Sequence, residues 1–234
     1  MHQQPHLTPQ EMLDMQLEQS RFMTKVYGWM TLGLLITAIT ALFTVYTSVF
    51  DFVFYNQFTF IGILIGEIAL VIYLTRRIHK MNPATAVTLF LVYSAVNGLT
   101  ISAYFLVYTT GSIVSTFMIT AVTFGIMSVY GLVTKTDLTK LGNLFLMGLV
   151  GFIIASVVNI FLQSEALYWI ATYVGIIIFI GLIAYDTQKI KTYYFASTTA
   201  TGEHTKASIM GALSLYLDFI NLFLLLLRMF GRRR

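Results

Sequence analysis

Two hydrophobic stretches near the C-terminal end of the chain each carry one aspartate. The first reads GLIAYDTQKI, residues 181–190, and the second reads ALSLYLDFINLF, residues 212–223. Each belongs to an apolar segment of about 20 residues, which is long enough to cross a bilayer as a helix. An ionisable side chain in such a segment costs about 2.5–3.5 kcal/mol even on the more lenient insertion scales. We therefore predict that Asp186 and Asp218 form the functional site.

The composition of the whole chain predicts an integral membrane protein. The 234 residues are 57% hydrophobic and 10% charged, and the mean hydropathy is +0.79. A soluble domain carries about 25% charged residues, so this chain could not cover a water-facing surface. The apolar runs are about twice as long as the alternating strands of an outer-membrane barrel. The predicted fold class is therefore an all-α membrane protein.

Seven hydrophobic segments joined by short connections predict one compact transmembrane domain at residues 26–230. A polar lead-in (1–25) is expected on the cytoplasmic side, and a basic tail (231–234) follows the domain. The lead-in does not resemble a secretory signal peptide, since it lacks a basic start followed by an apolar run. The predicted segments are Val26–Phe50, Phe58–Thr75, Ala84–Tyr108, Ser112–Val133, Leu141–Leu162, Leu167–Thr187 and Ala207–Phe230.

The distribution of lysine and arginine predicts the orientation. The lead-in and three alternate loops carry ten of these residues, whereas the opposite loops carry none. The positive-inside rule then places the lead-in in the cytoplasm of a bacterial inner-membrane protein. The C-terminal arginines, Arg228 and 232–234, do not fit this rule if the seventh segment crosses fully. Three explanations stay open: a re-entrant last segment, an earlier segment that does not cross, or a full span with an external basic tail.

The seventh segment carries a polar stripe at helical spacing. Its members are Gly211, Ser214, Asp218, Asn221, Leu225 and Arg228. Because lipid cannot satisfy polar groups, this face should contact protein or a water-filled path, which predicts a central helix surrounded by the other six. Packing alone explains Ser214 and Asn221 as well as an ion pathway does.

Asp186 lies near the cytoplasmic end of the sixth segment, where the seventh segment enters the membrane. Asp218 can therefore approach it, and two carboxylates within hydrogen-bonding reach share a proton, which is a natural pH sensor. Taken alone, Asp186 could instead be a solvated carboxylate paired with Lys189 or Lys191. No tight metal site is predicted, but weak calcium binding at Asp186 and Asp218 is compatible with a conducting pathway.

Glu67 is a third acid within the predicted membrane region. It lies about 14 Å along the helix from Arg76, too far to be neutralised by that residue. It should therefore face a polar interior and extend the ion pathway. Polar residues that could line such a path are Asn97, Thr100, Thr116, Thr120, Thr123 and Asn159. The neighbouring Gly62 and Gly66 predict close helix packing, as do Gly148 and Gly151 in the fifth segment.

Several other chemistries find no support in the sequence. The chain has no cysteine, and its four histidines are scattered outside the segments. It contains no zinc-protease motif and no nucleophile elbow, so neither an enzyme nor a cofactor is predicted. The net charge of +4 arises from basic residues at the segment ends and does not indicate nucleic-acid binding.

The two aspartate motifs, GLIAYDTQ (181–188) and SLYLDFINLF (214–223), resemble those of the Bax inhibitor-1 family in its bacterial branch. The resemblance covers nearly the whole chain. It implies six helices packed around a hydrophobic seventh, and a pH-sensitive calcium leak gated by aspartates that match Asp186 and Asp218. The acidic residue of the family's second helix matches Glu67. The family's latching arginine has two candidates here, Arg76 and Arg77.

Two alternatives to a proton-regulated calcium leak stay open. Some bacterial relatives suggest a regulatory partner of a membrane-bound quality-control protease, with the polar lead-in as its contact. An intramembrane aspartyl protease is the weakest hypothesis. Such enzymes carry Gly-x-Gly before the second aspartate, whereas this chain has Leu215, Tyr216 and Leu217 there.

Overall fold

The computed structural model describes residues 8–196 and 201–234 of the chain, and this part is almost entirely helical. It contains no β-strand; Tyr108 and Arg233 form an isolated antiparallel bridge. A single 3₁₀ turn, Ile78–Lys80, follows the third helix. The helices are α1 (Pro9–Val45), α2 (Val49–Phe54), α3 (Gln57–Arg77), α4 (Pro83–Ile101), α5 (Tyr104–Val107), α6 (Thr110–Val133), α7 (Thr139–Leu162), α8 (Glu165–Ala196) and α9 (Thr201–Phe230).

Seven helical segments are long and apolar enough to cross a membrane, which confirms the predicted fold class. They lie where the sequence predicted them, although most extend further at one or both ends. The seven spans are Pro9–Val45, Gln57–Lys80, Pro83–Val107, Thr110–Val133, Thr139–Leu162, Glu165–Thr192 and His204–Phe230.

The first helix begins far earlier than the hydrophobic pattern indicates. Thr8 caps it, since the Thr8 side chain accepts a hydrogen bond from the Glu11 backbone while the Glu11 carboxylate accepts one from the Thr8 backbone. This reciprocal capping box satisfies two N–H groups at the helix start, and Pro9 suits the first helical position. The polar lead-in is therefore helical from Pro9 onward and continuous with the first span, which ends at Val45 rather than near Phe50.

The last helix is the most buried of the seven spans. In the most apolar stretch of α9, 72% of the residues are buried, whereas in the corresponding stretch of α7 none are. Helix α9 packs against α1, α4, α6 and α8, while α7 packs mainly on α8 and α3 on α4. Enclosure of α9 by all six other spans stays a prediction.

Tyr216 connects three helices in the centre of the bundle. Its side chain is fully buried, and its hydroxyl lies 2.6 Å from the Thr37 hydroxyl of α1. Its ring makes edge contacts with Phe90 and Tyr93 of α4. The Thr37 hydroxyl also donates to the Ser94 carbonyl oxygen at 2.8 Å, so Thr37 connects Tyr216 of α9 to the backbone of α4.

The basic C-terminal tail pairs with the connection between α5 and α6. The Arg234 backbone N–H donates to the Val107 carbonyl, and the Thr109 N–H donates to the Arg232 carbonyl. The Arg232 N–H donates to the Ser112 hydroxyl at 2.7 Å. This connection is one of the loops that carry no lysine or arginine. The tail therefore lies at the other end of the bundle from the ten basic residues. Of the three explanations for the terminal arginines, these contacts favour a full span with the tail on the side opposite the basic loops; that this side is the external one stays a prediction.

Candidate functional site

Helices α8 and α9 run antiparallel in close contact, and glycines permit this contact at two levels. A Cβ atom on Gly211 would lie 3.1 Å from the Ile190 side chain, and one on Gly175 would lie 2.9 Å from Leu225. Asp186 and Asp218 lie between these two levels, one on each helix. The packing of α8 on α9 therefore determines how the two carboxylates meet.

Asp186 and Asp218 interact electrostatically across this helix pair. Asp186 is half-buried, and Lys189 on the next turn of α8 attracts it. Asp218 is only 5% exposed, and its Oδ2 atom has no hydrogen-bond partner in the part of the chain that the structure describes. Leaving a buried polar group unpaired costs about 1–3 kcal/mol, and more when the group is charged. A proton, a water molecule or a cation could each satisfy the Asp218 carboxylate.

Of the two lysines considered as partners of Asp186, only Lys189 acts on it. Lys191 instead donates to the Leu132 carbonyl at 2.9 Å. Gln188 connects α8 to the same region: its amide nitrogen donates to the Thr136 carbonyl, and its amide oxygen accepts from the Leu138 N–H, both at 2.9 Å. The C-terminal half of α8 thus holds the connection between α6 and α7.

An open pocket of about 460 Å³ lies at this end of α8 and is lined in part by Tyr185 and Gln188. Charged side chains of both signs line it, including Lys189, Lys191 and Asp137. Hydrogen bonds from the hydroxyl and backbone N–H of Thr139 hold the pKa of the exposed Asp137 carboxyl below its usual range. Asp137 therefore stays ionised at neutral pH and offsets part of the positive charge of the lysines.

The polar stripe of α9 divides into a buried part and a half-exposed part. Gly211, Asp218 and Leu225 are buried, whereas Ser214, Asn221 and Arg228 are half-exposed. The Asn221 amide donates to the Leu217 carbonyl of its own helix at 2.8 Å. The stripe therefore borders an open side of α9 and is not fully covered by the neighbouring helices.

Glu67 is held by two side chains of α4. The Asn97 amide donates to one carboxylate oxygen, and the Thr100 hydroxyl donates to the other at 2.8 Å. Both residues are among the polar partners named from the sequence. Glu67 also interacts electrostatically with Tyr93 and Tyr216, which places it beside the central junction of α1, α4 and α9. Gly62 and Gly66 do not support close packing here, since a Cβ atom on either would meet nothing within 4 Å.

The other polar candidates are not brought to Glu67. The hydroxyls of Thr120 and Thr123 donate to carbonyls of their own helix. Asn159 accepts a hydrogen bond from the Ser164 N–H at the end of α7, where Gln163 has a positive φ of 49°. Of the two glycines in α7, Gly148 approaches Ile178 closely, but Gly151 has open space around it.

The structure does not bring Arg76 or Arg77 to the aspartate pair. Both side chains are exposed at the end of α3. A different basic residue connects this end to α9: Lys206 is only 8% exposed and donates to the His79 carbonyl at 3.0 Å. The assignment of a latching arginine therefore stays a prediction.

The comparisons with known proteins identify the family. The family model described as "Inhibitor of apoptosis-promoting Bax1" matches residues 19–234. The chain belongs to the Bax inhibitor-1 family. It is 51% identical to inner membrane protein YbhL of Escherichia coli K12 over 215 residues, which cover 91% of this chain and 92% of YbhL.

Further Bax inhibitor-1 relatives carry no functional name. An uncharacterized protein of Borreliella burgdorferi is 44% identical over 93% of this chain and 94% of its own length. One of Rickettsia prowazekii is 45% identical over 92% of this chain and 90% of its own length. The seven spans and the YbhL relative confirm the prediction of a multi-pass protein of the bacterial inner membrane.

Sequence reasoning missed two residues that organise this family member. In the sequence, Tyr216 stands out only as a neighbour of Asp218, and its central position follows from contacts with α1 and α4. Lys206 is one of the ten basic residues that predict the orientation, and nothing in the sequence indicates its bond to His79. The capping box at Thr8 and Glu11, by contrast, is a sequence signal that could have predicted the start of α1. The described residues hold no group of three histidine, aspartate or glutamate side chains arranged to bind a metal.

Proposed function

We propose that the protein is a passive, pH-sensitive calcium leak of the inner membrane, gated by a proton that Asp186 and Asp218 share. The observation that carries this proposal is the buried Asp218 carboxylate, which has one unpaired oxygen and faces Asp186. With one proton between them, the pair carries a single negative charge. Loss of that proton places two negative charges together, and these either repel each other or recruit a cation.

The proposed pathway follows the half-exposed side of α9 past Ser214 and Asn221. Hydroxyl and amide oxygens at this side, together with the two aspartates, are the ligand type that calcium accepts. Weak binding suits conduction, since ions must also leave. Glu67, near the centre of the bundle, would extend the pathway toward the outer side.

The test measures calcium entry into proteoliposomes over a range of pH. Wild-type protein should pass calcium at a rate that depends on pH, and Asp186→Asn and Asp218→Asn should each change this dependence. Asp137→Asn is the matched control, since Asp137 is an exposed carboxylate at the same end of the bundle. Calcium flux that is unaltered by both substitutions in the pair would show that the gating proposal is wrong.

A second candidate is a regulatory partner of a membrane-bound quality-control protease. The observation that favours it is the start of α1, where Met12, Leu13 and Leu17 are each about half exposed. If this segment is the contact, Leu13→Gln together with Leu17→Gln should abolish association with the protease while calcium flux is unchanged. Association that survives both substitutions would exclude this contact.

An aspartyl protease has the least support. Asp218 is preceded by Leu215, Tyr216 and Leu217 within continuous helix, where the glycine-containing loop of such enzymes would be needed. Cleavage of a membrane reporter that is lost on Asp218→Ala would revive this hypothesis.

A further inference from the structure

One side of α9 stays half-exposed along the stretch from Ser214 to Arg228, whereas the residues between its members are buried. The residues on this side are Ser214, Leu217, Asn221, Leu224 and Arg228, which recur every three or four positions and so form one continuous strip. We propose that this strip, which we call the α9 groove, binds an anionic phospholipid whose phosphate contacts Arg228. This inference goes beyond the proposed calcium leak. Because the strip includes Ser214 and Asn221, a bound lipid would occupy part of the proposed ion pathway, and its binding is measured without calcium flux.

Arg228 is a cation within a membrane span, and no side chain in the described part of the protein neutralises its charge. It is half-buried, its Nη1 donates to the Thr172 hydroxyl at 3.3 Å, and its guanidinium carbon lies 4.6 Å from the centre of the Tyr168 ring. No carboxylate among the described residues forms an ion pair with it. A guanidinium has five N–H donors, and one bond to a hydroxyl leaves most of them for a ligand.

Phosphate is the ligand that best suits these remaining donors. The planar guanidinium binds a phosphate through two parallel hydrogen bonds, and such charge-assisted bonds are about twice as strong as neutral ones. The surroundings add positive charge, because three more arginines follow at 232–234. Arg233 lies at the same end of the bundle as Arg228. Its hydrogen bonds to Tyr108 and Tyr168 raise its pKa and so keep it charged. Positive potential at one end of the groove favours an anionic head group.

The remainder of the α9 groove suits an acyl chain. Leu217 lies eleven residues before Arg228, which is about 16 Å along the helix and close to the thickness of one apolar leaflet. Leu217 and Leu224 present apolar surface over this distance. Asn221 lies between them, but its amide donates to the Leu217 carbonyl and so does not need a partner in the groove. A free phosphate ion would use only Arg228, whereas a phospholipid uses the whole strip.

The test measures binding of phosphatidylglycerol to delipidated protein in detergent by native mass spectrometry. Arg228→Gln should weaken binding about tenfold or more, since it removes a charge-assisted contact. Arg228→Lys keeps the charge and should lose less affinity. Leu224→Trp should fill the groove and also weaken binding. The matched controls are Arg232→Gln, an exposed arginine at the same end, and Ile177→Trp, an exposed apolar position on α8; neither should change the affinity beyond about twofold.

Competition identifies the ligand. Diacylglycerol with the same acyl chains, and inorganic phosphate alone, should each fail to displace phosphatidylglycerol. Equal affinity of Arg228→Gln and wild type would overturn the proposal, as would an equal loss in Arg232→Gln, which would indicate only general attraction to the basic tail. Displacement by inorganic phosphate would overturn the phospholipid as the ligand. Size-exclusion profiles and thermal unfolding show whether each variant is folded.

Discussion

Individual glycines decide which helices of this bundle can touch. A Cβ atom on Gly131 of α6 would lie 2.4 Å from the Ala184 carbonyl oxygen of α8, and one on Gly98 of α4 would lie 2.6 Å from the Thr37 carbonyl oxygen of α1. In both cases the obstacle is backbone, which cannot rotate away. These two positions fix the approach of α6 to α8 and of α4 to α1.

Gly131→Ala should destabilise the protein by about 1–3 kcal/mol, the usual cost of overpacking a close contact. The free energy of unfolding in mixed micelles, measured by titration with a denaturing detergent, checks this value. Gly125→Ala on the same helix is the control, because a Cβ atom there meets nothing within 4 Å. A stability of Gly131→Ala equal to that of Gly125→Ala would contradict the close approach of α6 and α8.

Glu67 should stabilise the contact between α3 and α4 through its two side-chain partners. Glu67→Ala removes both acceptors and leaves the Asn97 amide without its partner, although Asn97 is only 7% exposed. We expect a loss of about 1–3 kcal/mol in the free energy of unfolding. Glu67→Gln should lose less, because its amide can still bond the Thr100 hydroxyl. If the alanine variant unfolds like wild type, Glu67 does not hold these helices together.

At the scale of elements, α8 connects the aspartate pair to the cytoplasmic surface. Its Gln188 side chain bonds the connection between α6 and α7, and its Lys191 side chain bonds the last turn of α6. The Lys191 carbonyl accepts a hydrogen bond from Gln19 of α1. A displacement at this end would therefore act on three other helices. The extension of α1 beyond the membrane has a structural role here, since Gln19 lies within it.

Gln188→Ala should loosen the connection between α6 and α7. The Leu138 N–H at the start of α7 loses its acceptor, and Leu138 is only 4% exposed, so water replaces the bond poorly. Hydrogen exchange should become faster at Thr136–Thr139 while exchange in α9 is unchanged. Thr192→Ala is the control, because the Thr192 hydroxyl bonds only its own helix. Unchanged exchange in Gln188→Ala would mean that other contacts hold the connection.

At the scale of the whole molecule, the tail contacts determine the topology. Because the arginine tail pairs with Val107–Ser112, the two ends of the described chain lie on opposite sides of the membrane. A basic tail on this side is an exception to the positive-inside rule, and the ten basic residues on the other side outweigh it, so we predict that the tail is external. The hydrogen bonds from the tail to the connection before α6 stabilise it in this position.

Single-cysteine variants test this topology directly, because the chain has no cysteine of its own. Glu165→Cys and Arg234→Cys should react with a membrane-impermeant maleimide applied from outside the inner membrane. Lys80→Cys should react only after the membrane is permeabilised. Labelling of Lys80→Cys and protection of Arg234→Cys in intact membranes would reverse the orientation; labelling of neither outer position would contradict the full span of α9.

Much of the fold could be predicted because the bilayer imposes strict rules on a sequence. Every backbone polar group must be satisfied within the membrane, so long apolar runs form helices whose number can be counted directly. The start of α1 was missed because its first turns are polar, although the capping box at Thr8 marks them. The sequence predicts that Glu67 faces polar residues. It does not select those of α4, since polar residues are equally available on other helices.

The class of protein, the seven spans and the two candidate aspartates could all be predicted from the sequence. These follow from composition, length and the cost of burying charge, which are local properties of the chain. The packing of the helices shows three further features: an unpaired Asp218 oxygen, a hydrogen bond from Lys206 of α9 to His79 just after α3, and a tail that pairs with the connection before α6. Such contacts join residues that are far apart in sequence, and they depend on how the helices pack.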